Sequence, residues 1–137
     1  MNSGVTVSGT MPTKLTSISL PNGLLTISDE AFRGCINVTS INIPSTVTSI
    51  GTNAFYGCTT LTGITIPSGV TSIGDKTFYN CKAFTTIDIP SAVSSIGKNA
   101  FYGCAALTTI NIHNTEGNVT VGTSAFPSTA TVNYLGA

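Results

Sequence analysis

The chain has no tryptophan, one histidine and two methionines, and charged residues make up only 7% of its 137 positions. Five basic residues balance five acidic ones, so there is no basic stripe to neutralise phosphates, and nucleic acid is not an expected partner. No run of about 18 apolar residues occurs, which argues against membrane insertion. The opening MNSGVTVSGTMPTK lacks the basic-then-apolar form of a secretion signal. With one histidine, no G-x-S-x-G, no phosphate loop and no H-E-x-x-H, the usual parts of an active site are missing. No catalytic residue, cofactor or metal ligand is therefore expected. Threonine and serine stand where charge would normally be, a composition suited to strands and a neutral, hydrogen-bonding surface.

The sequence does have a strict period. Residues 41–63, INIPSTVTSIGTNAFYGCTTLTG, are echoed from Ile64 and again from Ile87. Pro21, Pro44, Pro67 and Pro90, then Phe32, Phe55, Phe78 and Phe101, then Cys35, Cys58, Cys81 and Cys104, each advance in steps of 23. Such self-similarity marks an array of stacked units, each unable to bury its apolar face alone. Three segments follow: a cap or tail over 1–14, regular repeats over 15–112, and an irregular capping repeat over 113–137.

Within the repeats, Leu15-x-x-Ile18-x-Leu20 recurs as Val38-x-x-Ile41-x-Ile43, Leu61-x-x-Ile64-x-Ile66, Phe84-x-x-Ile87-x-Ile89 and Leu107-x-x-Ile110-x-Ile112. The last three residues of each pattern alternate in and out, as a strand requires, and stacking one strand per coil gives a parallel sheet. Proline closes the strand where its missing N–H costs least. A second short strand is carried by Leu24/Ile27, Val47/Ile50, Val70/Ile73 and Val93/Ile96. Gly51, Gly74, Gly97 and Gly122 then share a register, replaced by Ser28 in the first repeat, where a positive φ would help.

The segment 52–58 and its equivalents read as one helical turn, with Asp29, Thr52 and Asp75 as N-caps and Gly34, Gly57, Asn80 and Gly103 as left-handed C-terminal residues. The alanine and phenylalanine of each turn are expected inside. The expected fold is a repeat solenoid, mainly β with one short helical turn per coil and a parallel sheet on one face. Val5-Thr6-Val7 reads as an irregular strand over the N-terminal end. At the other end Ala125-Phe126 arrives two residues late, His113 replaces the regular proline, and 132–135 reads as a closing strand of unfixed register.

The four cysteines occupy equivalent places in four coils and read as a ladder of small, buried, reduced side chains. Coils about 5 Å apart would also bring neighbouring cysteines within bridging distance. A zinc site fits poorly, because four ligands along one axis do not converge on a tetrahedron.

The pattern I-x-I-P-x-x-V-T-S-I-G-x-x-A-F-x-G-C-x-x-L-T-x, running from Leu15 to about Phe126, resembles the BspA-like class of leucine-rich repeats. The resemblance implies a curved right-handed solenoid, exported or attached to a cell surface, that serves adhesion or partner recognition. It carries over no catalytic residues. A targeting segment for export is not found in this chain.

Three surfaces are candidates for recognition. The exposed sheet face presents Ser17, Ser40, Gly63, Thr86 and Thr109 in one ladder and Ser19, Asn42, Thr65, Asp88 and Asn111 in another. Of these, Ser40, Asn42, Thr65, Thr86, Asp88, Thr109 and Asn111 are the expected ligand contacts, for a protein or a glycan of a host or neighbouring cell. Arg33, Tyr56, Tyr79 and Tyr102 form a second ladder, one per coil, that suits sugar rings or simple self-stacking. Asp88, Asn111, His113 and Glu116 form a third cluster with a weak cation-binding character. The competing reading is a ligand-free spacer or self-assembling array with a consensus-like sequence. Open strand edges at its ends would allow end-to-end association.

Overall fold

The computed structural model describes residues 4–5 and 16–136, so Thr6, Val7 and Leu15 lie outside the described residues. The described strands are β1 (Gly4–Val5), β2 (Ser17–Ser19), β3 (Thr26–Ile27), β4 (Ser40–Asn42), β5 (Ser49–Ile50), β6 (Ser72–Ile73), β7 (Thr86–Ile89), β8 (Ser95–Ile96), β9 (Thr109–Ile112), β10 (Thr120–Val121) and β11 (Thr131–Tyr134). All pair in parallel, coil upon coil. The second strand of each coil builds one continuous sheet in the order β1-β3-β5-β6-β8-β10. Its register advances by 23 from Ile27 to Ile50 to Ile73 to Ile96. Gly4 and Val5 pair with Thr26 and Ile27, so the start of the expected N-terminal strand does cover that sheet's first edge.

The apolar positions of the repeat meet on the inside. Phe55, Phe78 and Phe101 are essentially sealed from solvent, as are Cys81, Cys104 and the isoleucines of β7 and β9. The phenylalanine rings stack at 5.5 Å from Phe32 to Phe55, 5.4 Å from Phe55 to Phe78 and 5.2 Å from Phe78 to Phe101. All four cysteines are buried and free. Each of the last three thiols donates to the phenylalanine carbonyl of the coil before: Cys58 to Phe32 at 3.2 Å, Cys81 to Phe55 at 3.3 Å, and Cys104 to Phe78 at 3.1 Å. Thr77 stands where other coils have alanine, and its buried hydroxyl lies 2.8 Å from the Gly74 carbonyl and 3.0 Å from the Gly51 carbonyl.

The expected helical turn is not formed; among the described residues there is no helix. The backbone N–H groups explain this. Ala54, Tyr56 and Cys58 donate three residues back, to Gly51, Asn53 and Phe55, each at 3.2 Å. The alternate groups, on Asn53, Phe55 and Gly57, donate instead to Asp75, Thr77 and Tyr79 of the next coil at 3.0, 2.8 and 2.7 Å. Half of the donors a helix would need are thus committed to the stack, which is possible because Asn53 and Gly57 adopt left-handed φ values of 60° and 73°. Asn80 does the same at 59°, as expected for the residue replacing glycine.

The glycines of the Gly51 register are not in positive φ, which corrects the reason expected for them. A Cβ on Gly74 would lie 2.8 Å from the backbone nitrogen of Thr52, and one on Gly122 would lie 2.5 Å from that of Lys98. Close approach of adjacent coils selects glycine there.

Candidate functional site

The first-strand face is built by β2, β4, β7, β9 and β11, with side chains alternating between core and solvent. Along β7, Thr86 and Asp88 point out while Ile87 and Ile89 point in. Ser40, Asn42, Thr65, Thr86 and Asp88 are exposed, and Thr109 and Asn111 are half-buried. The face therefore presents every expected contact residue outward or at its margin.

It is not one sheet. The strands divide into β2-β4 and β7-β9-β11, and residues 63–66 between them belong to no strand. Gly63 occupies the place of Ser40, Thr86 and Thr109, and a glycine gives a strand neither a side chain to pack nor a restricted backbone. Ile64 is correspondingly half-buried, whereas Ile87 and Ile110 are 1% and 0% exposed. The interruption opens a cleft of about 260 Å³ lined by Ile64, Thr65, Ile66, Ser68, Asp88, Pro90 and His113.

Beside the cleft the polar side chains are tied together. Asn111 Nδ2 donates to Asp88 Oδ1 at 3.1 Å, and Asn133 Nδ2 donates to Asn111 Oδ1 at 3.0 Å. Asn133 is a member of the face that the sequence reading missed. β11 pairs Thr131 with Thr109 and Asn133 with Asn111, a step of 22 that the 23-residue rule does not anticipate. His113 Nε2 lies 3.9 Å from Asp88 Oδ1, with both side chains largely in solvent, so the pair adds little energy. Glu116 does not complete the expected cluster. Its charge acts on Tyr134, whose phenol is shifted upward first by burial and then by Glu116. Among the described residues no three His, Cys, Asp or Glu side chains converge as a metal ion would require.

The tyrosine ladder forms as a stack on the turn wall. Tyr56 and Tyr79 lie 4.8 Å apart and parallel, Tyr79 and Tyr102 lie 5.2 Å apart, and the Arg33 guanidinium caps Tyr56 at 4.4 Å. Arg33 is also bound to Glu30 at 2.9 Å. The rings cover one another, so no sugar can enter between them. The cysteines offer no reactive thiolate: burial pushes Cys58 and Cys104 up to about 12 and raises Cys35 and Cys81 as well. What the first-strand face presents is hydrogen-bonding side chains beside a cleft.

Residues 11–133 match the BspA-type leucine-rich repeat region in six copies. The chain belongs to this family. Among solved structures it is similar to a leucine-rich repeat protein from Bacteroides ovatus, with 33% identity and a TM-score of 0.79 over 96% of this chain and 36% of that one. The T. pallidum leucine-rich repeat protein TpLRR is 28% identical, with a TM-score of 0.74 over 82% of this chain and 54% of its own. A leucine-rich cell surface protein from Faecalibacterium prausnitzii is also 28% identical, with a TM-score of 0.76 over 93% of this chain and 34% of its own. This chain thus spans between about a third and about half of each relative's length. No curated protein matches it.

Proposed function

We propose that this BspA-type array is a non-catalytic recognition module of a cell-surface or secreted protein, holding a protein or a glycan through its first-strand face. The observation that supports this most directly is the line Asp88–Asn111–Asn133, fixed by side-chain hydrogen bonds of 3.1 and 3.0 Å beside the cleft at Thr65. Polar side chains already held in one geometry lose little rotamer freedom on binding. The BspA-type family, and the resemblance to a protein described as a leucine-rich cell surface protein, favour an extracellular setting.

The test is a labelled chain applied to an array of glycans and extracellular-matrix proteins, in parallel with a variant carrying Asn42→Ala, Thr65→Ala and Asp88→Ala. Specific capture that the triple variant loses supports recognition through this face. Capture unchanged in the variant moves the contact elsewhere, and no capture by the folded chain favours a spacer. Among the described residues β11 is paired on one side only, and any association of chains through its other side would be detected by sedimentation at rising concentration.

A further inference from the structure

The last coil is shorter than the others. Seven residues lie between Phe101 and Thr109, the first residue of β9, but only four lie between Phe126 and Thr131, the first residue of β11. The missing residues are those that, in a full coil, carry the tyrosine and the glycine-cysteine turn. Pro127 follows Phe126 where Tyr56, Tyr79 and Tyr102 follow their phenylalanines.

Two groups are left uncovered by this shortening. Tyr102 is stacked on Tyr79 on one side, is 49% exposed, and borders a cleft of about 400 Å³ with Gly103, Ser124, Phe126, Pro127, Ser128 and Thr129. The second group is the backbone N–H of Gly103. In the three preceding coils the equivalent N–H donates onward: Gly34 to Tyr56, Gly57 to Tyr79 and Asn80 to Tyr102, at 2.7, 2.7 and 2.8 Å. The Gly103 N–H has no such acceptor among the described residues. Ser124, Ser128 and Thr129 are exposed, and their hydroxyls make no hydrogen bond to other described residues. No charged side chain lines the cleft.

We infer that this cleft binds the pyranose ring of a glycan, lying on the outer face of Tyr102 one stacking step beyond the ladder. A sugar ring has an apolar C–H face that suits an aromatic platform, and a rim of hydroxyls that suits donors and acceptors from serine, threonine and a free N–H. A protein partner would need a far larger complementary surface than a cleft of this size supplies. The site is separate from the first-strand face and stands or falls independently of the function proposed for it.

The experiment is a titration of the full chain with a panel of methyl glycosides (glucoside, galactoside, mannoside and N-acetylglucosaminide), read by saturation-transfer NMR and by the ring resonances of the tyrosines. Saturable binding by at least one glycoside, perturbing Tyr102 in preference to Tyr56, is expected. Tyr102→Ala should weaken it by about tenfold or more, whereas Tyr102→Phe, which keeps the platform, and the triple first-strand variant should retain it. Should Tyr102→Ala fail to fold, the ring resonances of the unaltered chain still locate the sugar. Absence of saturable binding to every glycoside, or binding that perturbs Tyr56 and spares Tyr102, overturns the proposal.

Discussion

The Asp75 carboxylate accepts the backbone N–H of Lys98, one coil onward, at 2.8 Å, and Asp29 accepts that of Thr52 in the same way at 2.9 Å. These side chains cap their neighbour and not their own turn, so each fastens two coils together. Asp75→Ala should therefore cost about 1 kcal/mol, the scale of a capping residue, and Asp75→Asn, which keeps an acceptor, distinctly less. Urea melts check this, and equal losses for the two substitutions would show that the carbonyl-type acceptor is not the operative feature.

Two glycine registers should respond differently to the same substitution. Gly57 has φ 73° with open space where a Cβ would go, whereas Gly74 has its Cβ position pressed on the Thr52 backbone. Gly57→Asn should be tolerated to within about 1 kcal/mol, since Asn visits the left-handed region routinely. Gly74→Asn should cost several times more, because main chain must move. Thermal melts of the two variants would contradict this if their losses were alike.

Phe78 is fully buried and stacked between Phe55 and Phe101, with Phe84 tilted against it at 5.4 Å. Phe78→Ala leaves a cavity in the middle of that stack and should destabilise the chain by about 3–5 kcal/mol. A loss below about 1 kcal/mol in denaturant would mean the stack has collapsed around the gap.

The thiols impose a pH dependence with a definite sign. Burial raises Cys58 and Cys104 from the ordinary 9.0 to about 12, so between those values the unfolded chain has released protons that the folded chain still holds. Stability then falls as pH rises, since unfolding stability follows the difference in protons bound by the two states. Melts should show a plateau below about pH 8 and a decline between 9 and about 12 that is shallower in Cys58→Ala. Thiol titration should likewise find four slow-reacting groups in the native chain and four prompt ones once it is unfolded.

The period, the inward phenylalanines and cysteines, and the left-handed Asn80 were legible because each recurs at one fixed step, and repetition averages out local ambiguity. The turn was misread because a donor's choice between its own coil and the next depends on neighbours that a window of sequence does not contain. A second left-handed residue, at Glu30, Asn53, Lys76, Asn99 and Ser124, escaped notice for a related reason. Only the two asparagines signal it, and the stack holds the other three there. The first-strand residues were all recognisable, but Asn133 was lost to a step of 22. The division of that face at Gly63 was written in a single replaced side chain.

The onward hydrogen bonds of the turn wall have an electrical consequence. Strand ladders alternate the direction of their peptide groups, but here the N–H groups of Glu30, Asn53, Lys76 and Asn99 point the same way, as do those of Phe32, Phe55, Phe78 and Phe101. Each column is a head-to-tail file of peptide dipoles running from coil to coil, as in an α-helix but with one unit per coil. The polarity relative to chain direction is reversed: the positive, N–H end lies at the last coil. Within the described coils the turn wall is therefore polarised along the stacking direction, its N–H groups all directed toward the coil that carries Ser124.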